Sequence, residues 1–368
     1  MRLLYFTDNN SVHNRRFLKK LASSGHEVFY LSLAGTPAEG WAPREVQIVS
    51  ATKSFARNTP PKAFESFVPE FGSIVKELRP DLVQAGAIQS CAYIAARAGV
   101  HPLLAMSWGS DILVDAERDR EWKDATVTAL NGADGLFCDC DTVRERARLI
   151  SPGVVKDVVQ FPWGLERGIF SPQGERVELP WPRNHPVFIS TRAWEPGYGF
   201  EVLLEAFAMA LTRMPELRLL LIGHGSRESE VRNFVENRAV AGRILICTDT
   251  AGIDMSKYFR SANAYISCTP SDGSSISLLE AMATGLPSIV ADNPSNREWL
   301  SEGVNGWFGK IGSRDSYAEK ILEVAALSPM SRESAARLSM DTVRERADWD
   351  KNFPLLLQAY DKLTSGER

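Results

Sequence analysis

The chain has 368 residues, which suits two domains at roughly 100–200 residues each. Apolar residues make up 44% and charged residues 24%, an ordinary globular composition that excludes a wholly disordered chain. With 42 Lys and Arg against 46 Asp and Glu the net charge is −4, so no basic excess exists to displace counterions from a nucleic acid, and a nucleic-acid partner is not expected.

No apolar run reaches the roughly eighteen residues of a membrane span. The start, Met1 to Asp8, meets an acid too early for a signal peptide and reads as a first strand. Cys91, Cys138, Cys140, Cys247 and Cys268 form an odd set without metal-ligand spacing, so reduced thiols and a cytoplasmic location are expected. Short apolar runs then alternate with helical patterns to the end, the mark of an α/β protein with parallel sheets. Strands are expected at 2–6, 27–33, 81–85, 103–108, 136–140 and 158–161, with helices at 14–24 and near 90–98. Residues 171–185, holding Pro172, Pro180 and Pro182, read as a linker. Further strands follow at 186–191, 218–222, 244–247, 264–268 and 288–291, and a last helix runs from about Asp350 to Leu363. The expectation is two doubly wound, Rossmann-like domains facing across a cleft. The first holds residues 1–170 with the returning helix 350–368, and the second holds 186–349.

The segment from Pro270 to Pro287 is the most informative. A strand ends at Thr269, a loop carries Asp272, and a helix opens at Ser274 or Ser275 and closes at Gly285. The amides of Ser275 and Ile276 sit at the positive end of that helix and suit a phosphate. Glu280, in the second turn, has two oxygens to accept both hydroxyls of a ribose, and Asp272 is placed to reach the rest of the same ligand. The plainer reading makes Asp272 and Ser274 helix caps and Glu280 a solvated side chain. Two acids at this spacing mean little alone; the strand–loop–helix context carries the inference.

Other positions have two readings each. Asp111, after a strand end, is a candidate ligand contact or an N-cap. Asn10 and His13, in the loop after the first strand, are acceptor-side candidates, with a phosphate contact also open to His13, or solvated polar residues. Gly223 and Gly225 allow a ligand close to the backbone or simply form a tight turn, and Glu228 stands where a dinucleotide fingerprint needs a third glycine. Asp139-Cys140-Asp141 looks like a metal-binding pair, but the following Thr142 to Glu145 favours a helix start, and no metal is expected. Arg15, Arg16, Lys19 and Lys20 share a face of the first helix, either solvated or in weak contact with an anionic membrane surface.

These residues together resemble the family-4 retaining glycosyltransferases of the GT-B fold. The match runs through Asp8 to His13, Gly25-His26-Glu27-Val28, Trp108-Gly109-Ser110-Asp111, Ala133-Asp134, Pro162-Trp163-Gly164, Ile222 to Gly225, the Asp272 to Pro287 segment and Asn305-Gly306. The resemblance implies transfer from a nucleotide-diphosphate sugar, a co-substrate rather than a cofactor, to a sugar, lipid or small-molecule acceptor. It implies donor contacts at Arg192, Gly223, Asp272, Ser274, Ser275, Ile276 and Glu280, with Asp111, Arg192 and Asp272 nearest the chemistry.

Two departures stand out. The first acid of the pair is usually Glu and here is Asp272. The family commonly follows its Arg with Lys-Gly, whereas Ala193 to Gly199 contains no Lys. The donor diphosphate therefore falls to Arg192, the amides near Ser275 and the Tyr198 hydroxyl, unless Arg192 is spent on a salt bridge to Glu195 or Glu201. Front-face displacement is expected, with double displacement through Asp111 left open. The residues of the loop from Thr248 to Ile253 frame the base without choosing it. An epimerase or hydrolase on the same fold and a non-catalytic nucleotide-sugar binder are the rival readings. A dehydrogenase is weaker, because the loop after the first strand lacks glycine.

Overall fold

Arg2–Thr7 (β1) is buried at every position after Arg2, as a central strand of a parallel sheet must be. The computed structural model describes residues 1–365 apart from 57, 154–156, 164, 166–167, 238–239 and 249–253. Around β1, the strands Glu27–Ser32 (β2), Val46–Val49 (β3), Leu82–Gly86 (β4), Leu103–Met106 (β5), Gly135–Cys138 (β6) and Val158–Gln160 (β7) form one sheet. Its order is β3-β2-β1-β4-β5-β6-β7, and its paired strands are parallel. The helices between them are Val12–Ala22 (α1), Val68–Leu78 (α2), Tyr93–Arg97 (α3), Ser110–Leu113 (α4), Arg120–Asn131 (α5) and Asp141–Ile150 (α6). Phe6, Phe29, Phe71, Val83 and Ala105 meet in the core on one side of this sheet.

The first helix begins earlier than its apolar spacing indicates. Ser11 caps it by accepting from the Asn14 amide at 3.3 Å, so His13 lies in its first turn. The expected helix near 90–98 is a π turn at Ile88–Ala92 that runs on into α3.

The second sheet comprises Val187–Ser190 (β8), Arg218–Ile222 (β9), Ile244–Cys247 (β10), Ala264–Ile266 (β11), Ser288–Ala291 (β12) and Gly306–Gly309 (β13), in the order β10-β9-β8-β11-β12-β13. Its helices are Phe200–Arg213 (α7), Glu228–Asn237 (α8), Met255–Ser261 (α9), Ile276–Ala283 (α10), Pro294–Arg297 (α11), Arg314–Ala325 (α12) and Pro329–Arg346 (α13). Alternate strand residues feed opposite faces. Phe188, Leu219 and Leu221 join one core, while Val187, Ile189, Leu220 and Ile222 join the other. A sheet covered on both sides has no polar face, which is why its strands read as unbroken apolar runs.

A final helix, Trp349–Ser365 (α14), ends the described chain. Contacts divide the chain into two units, Met1–Phe161 with Lys351–Arg368, and Pro162–Asp350. Residues 162–185 thus group with the second unit, where Arg260 donates to the carbonyls of Ile169, Ser171 and Glu175. Among the described residues no helix is long and apolar enough to cross a membrane. In each sheet the strand order reverses beside its first strand, between β1 and β4 and between β8 and β11, and loops leaving the strand ends at such a point open a crevice.

Candidate active site

The loop after β8 is shaped by glycines. A Cβ on Gly223 would lie 2.6 Å from the Arg192 carbonyl oxygen, and one on Gly225 2.3 Å from that of Trp194. Both glycines therefore admit the neighbouring protein loop, which the Trp194 amide ties down by donating to the His224 carbonyl at 3.1 Å. At the loop's far end Gly199, at φ +71°, leads into α7, and its Cβ would strike the Cys268 carbonyl oxygen. Within this tightly held backbone, Thr191 Oγ1, Arg192 Nε and Trp194 Nε1 are buried without a hydrogen-bond partner among the described residues. Buried polar groups are nearly always satisfied, so three orphans in four residues mark a place where a polar ligand or water belongs.

Arg192 reaches across the reversal point to the loop after β11 and the start of α10. Its Nη2 donates to Asp272 Oδ2 at 2.8 Å, and its Nη1 to Ser275 Oγ at 3.0 Å and Ser277 Oγ at 3.4 Å. The guanidinium also lies over the Tyr198 ring, 5.1 Å from its centroid, so the ring face rather than the hydroxyl meets the cation. Neither Glu195 nor Glu201 takes the arginine. Glu195 accepts from the Ser226 amide at 2.8 Å, and Glu201 lies 4.0 Å from Arg227. The Arg192 side chain is 15% exposed and that of Asp272 24%. Burial, the largest single effect, would lower the arginine's pKa, but Asp272, Tyr265 and Tyr198 together outweigh it and raise the pKa, so the group stays charged.

Ser275 is the N-cap of α10, yet its hydroxyl caps nothing in the helix because it serves Arg192. The amides of the first turn lack intrahelical acceptors, as at any helix start, and add a positive end beside the guanidinium. Arg192, Ser275 and Ser277 thus converge at the positive end of this helix, beside the Ile276 amide. Asp272 Oδ1 accepts from the Gly273 amide at 3.0 Å, so both of its oxygens are engaged. Ser274 is buried and accepts from Trp299 Nε1 at 3.0 Å, which makes its hydroxyl a packing contact. Glu280 is 9% exposed in the second turn of α10, so it is not the solvated side chain of the plainer reading.

In the first unit, Asp111 is 3% exposed and accepts from Ser107 Oγ at 2.6 Å, the Trp108 amide at 3.1 Å, the Ile112 amide at 3.0 Å and the Ile88 amide at 3.1 Å. Burial raises its pKa against the pull of those bonds. Both oxygens are occupied in bracing the loops after β4 and β5. Asn10 donates to the Gly35 carbonyl at 3.1 Å and accepts from the Tyr30 hydroxyl at 2.9 Å, and His13 is half-buried. Asp141 begins α6 after Cys140, which is the helix start its sequence favours, although no side chain caps it. Among the described residues no group of three His, Cys, Asp or Glu could hold a metal. Residues 249–253 of the expected base-framing loop, and Gly164, lie outside the described residues. Ser277 and the ring of Tyr198 were not evident from sequence, because each is recruited by a partner many residues away.

Comparison with known proteins follows the same division. The family described as glycosyl transferases group 1 matches residues 173–339, and the glycosyl transferase 4-like family matches residues 2–139. A glycosyltransferase designated EpsD from Bacillus subtilis is 29% identical over 40% of this chain and 40% of its own length. Phosphatidyl-myo-inositol mannosyltransferase of Mycobacterium tuberculosis is 28% identical over 56% of this chain and 54% of its own. The chain thus spans about half the length of the curated relatives it matches. Among solved structures, sucrose-phosphate synthase from Thermosynechococcus elongatus superposes with a TM-score of 0.85 at 16% identity, covering 100% of both chains. Anabaena HepE in complex with UDP gives 0.74 at 14% identity, covering 99% of this chain and 100% of that one. Residues 2–139 and residues 173–339 thus each match a glycosyltransferase family, and the two parallel-sheet domains have the GT-B fold of the solved structures.

Proposed function

We propose that the chain is a retaining glycosyltransferase that moves a sugar from a nucleotide-diphosphate donor to a sugar, lipid or small-molecule acceptor. The observation that carries this reading is Arg192, a mostly buried guanidinium with a free Nε, set at the first turn of α10 beside Asp272. Such a cluster suits a diphosphate, with Glu280 as the partner for a ribose diol one turn further on. The mannosyltransferase relatives and the UDP held by one structural neighbour fit that donor class.

In the mechanism we propose, the sugar–diphosphate C–O bond breaks while the acceptor oxygen bonds to the same face of the sugar. The leaving diphosphate oxygen takes the acceptor's proton. Arg192 and the α10 amides stabilise the charge that grows on that oxygen, and no metal takes part. Asp111, with both oxygens occupied, positions loops and carries no step of the transfer. The acceptor belongs to the first unit near Asn10 and His13. The protein works in the cytoplasm, and exposed Arg15 and Lys19 on α1 make weak contact with an anionic membrane surface.

The test is turnover of UDP- and GDP-hexose donors in EDTA across an acceptor panel, followed by proton NMR of the first product. Product with the donor's anomeric configuration is expected. An inverted anomer, activity lost in EDTA and restored by Mg²⁺, or donor consumed equally without acceptor would each overturn the corresponding part.

A further inference from the structure

Behind the first turn of α10 runs a short chain of hydroxyls. Tyr265, on β11, is fully buried, and its hydroxyl donates to Ser277 Oγ at 3.0 Å. Ser277 Oγ also accepts from Arg192 Nη1 at 3.4 Å and lies 3.3 Å from Ser275 Oγ, which accepts from the same Nη1 at 3.0 Å. A serine hydroxyl has two acceptor positions and one proton. Tyr265 also has Ser267 as a side-chain partner; when it donates to Ser277, Tyr265 and Arg192 fill both acceptor positions of that serine, and its proton turns to Ser275 or a ligand oxygen. If it goes to Ser275, that oxygen is filled by Ser277 and Arg192, and the Ser275 proton turns outward instead. Either way the pair presents a proton at the start of α10, where the first-turn amides already point.

We infer that Ser277 is a phosphate-contact residue of the donor site and that Tyr265 is a positioning residue that fixes the direction of the serine protons. The inference rests on the nucleotide-diphosphate reading above and extends it to two residues. Tyr265 suits the task because burial raises its pKa, so its hydroxyl remains a donor at any physiological pH. Its ring is held in the apolar core with Ile189, Phe259 and Leu279, so the hydroxyl has a fixed origin.

Titration calorimetry of the full chain with UDP and GDP, each beside its own nucleoside, separates the possibilities. Ser277→Ala should weaken the diphosphate that wild type binds by about tenfold or more, the usual loss for a hydrogen bond to a charged group, with nucleoside binding unchanged. Tyr265→Phe should weaken it by roughly 2–10-fold, the cost of a neutral bond, and the double variant should be no weaker than Ser277→Ala. Ser277→Thr, which keeps the hydroxyl, should retain most of the affinity. Unchanged diphosphate affinity in Ser277→Ala, equal loss for nucleoside and diphosphate, or additive effects in the double variant would overturn the inference. If wild type binds neither diphosphate, the donor reading itself falls.

Discussion

The guanidinium of Arg192 is paired with Asp272, so a diphosphate bound as proposed would have to share or displace that carboxylate. In the mechanism proposed above, one arginine would serve both an internal ion pair and the charge of a leaving group. Arg192→Ala should lower kcat by about 10²–10³-fold, more than it raises KM, because the stabilised charge grows toward the transition state. Arg192→Lys should recover only part, since an ammonium cannot reproduce a fork that reaches Ser275, Ser277 and Asp272 at once. Steady-state kinetics decide it; near-normal kcat with a lowered Tm would make the residue structural. At this scale the candidate residues were legible, since Arg192, Asp272, Ser275 and Glu280 occupy positions marked by local strand–loop–helix grammar, and Arg192 does meet Asp272 and Ser275. Their mutual contacts were poorly legible. That Asp272, not Glu195 or Glu201, takes the arginine depends on β8 and β11 being neighbours, which no local spacing reveals.

Among the elements, the loop between β8 and α7 is the one that glycine makes possible. Gly225→Ala would set a methyl 2.3 Å from the Trp194 carbonyl oxygen, with backbone rather than a flexible side chain to displace. We expect a loss of about 1–3 kcal/mol, several degrees in Tm, together with weaker diphosphate binding as the Arg192 backbone shifts. Gly72→Ala, inside α2 with nothing within 4 Å of its Cβ, should instead leave stability unchanged or raise it, by up to about 1 kcal/mol. Thermal melts of the two variants supply the comparison, and a Gly225→Ala melting point equal to wild type would overturn the steric account. Strand and helix existence was mostly legible for the same reason that these glycines matter: two-sided burial leaves dense apolar runs such as Arg218–Ile222. The two strands that went unread lack that signature. Only Val46 of β3 is buried, because the strand lies at the sheet edge. β13 is bounded by Gly306 and Gly309, each of which leaves room for a side chain, Leu300 and Tyr317 respectively. Glycine in those places looks like a turn until the packing is known.

At the scale of the whole molecule, α14 completes the first unit although the chain reaches it last. Leu356 and Tyr360 on this helix are fully buried, the Tyr360 hydroxyl bonds the Gln84 side chain of β4, and Lys362 pairs with Asp157. A chain cut after Trp349 loses three large core side chains, Phe353, Leu356 and Tyr360, a cost of about 2–5 kcal/mol for each if the site does not collapse. Calorimetry should then show a low-melting first unit beside a second unit close to its intact melting temperature; a single unchanged transition would mean that α14 contributes little. The same layout bears on how the protein is made. At roughly 5–20 residues per second, a ribosome needs on the order of tens of seconds to add the second unit between Phe161 and Lys351. For that interval the nascent first sheet has no cover for the apolar surface that Leu356 and Tyr360 later seal. It is the earlier half of this fold, not the later one, that has to wait until the second unit has been made and that offers a chaperone the longer-lived target.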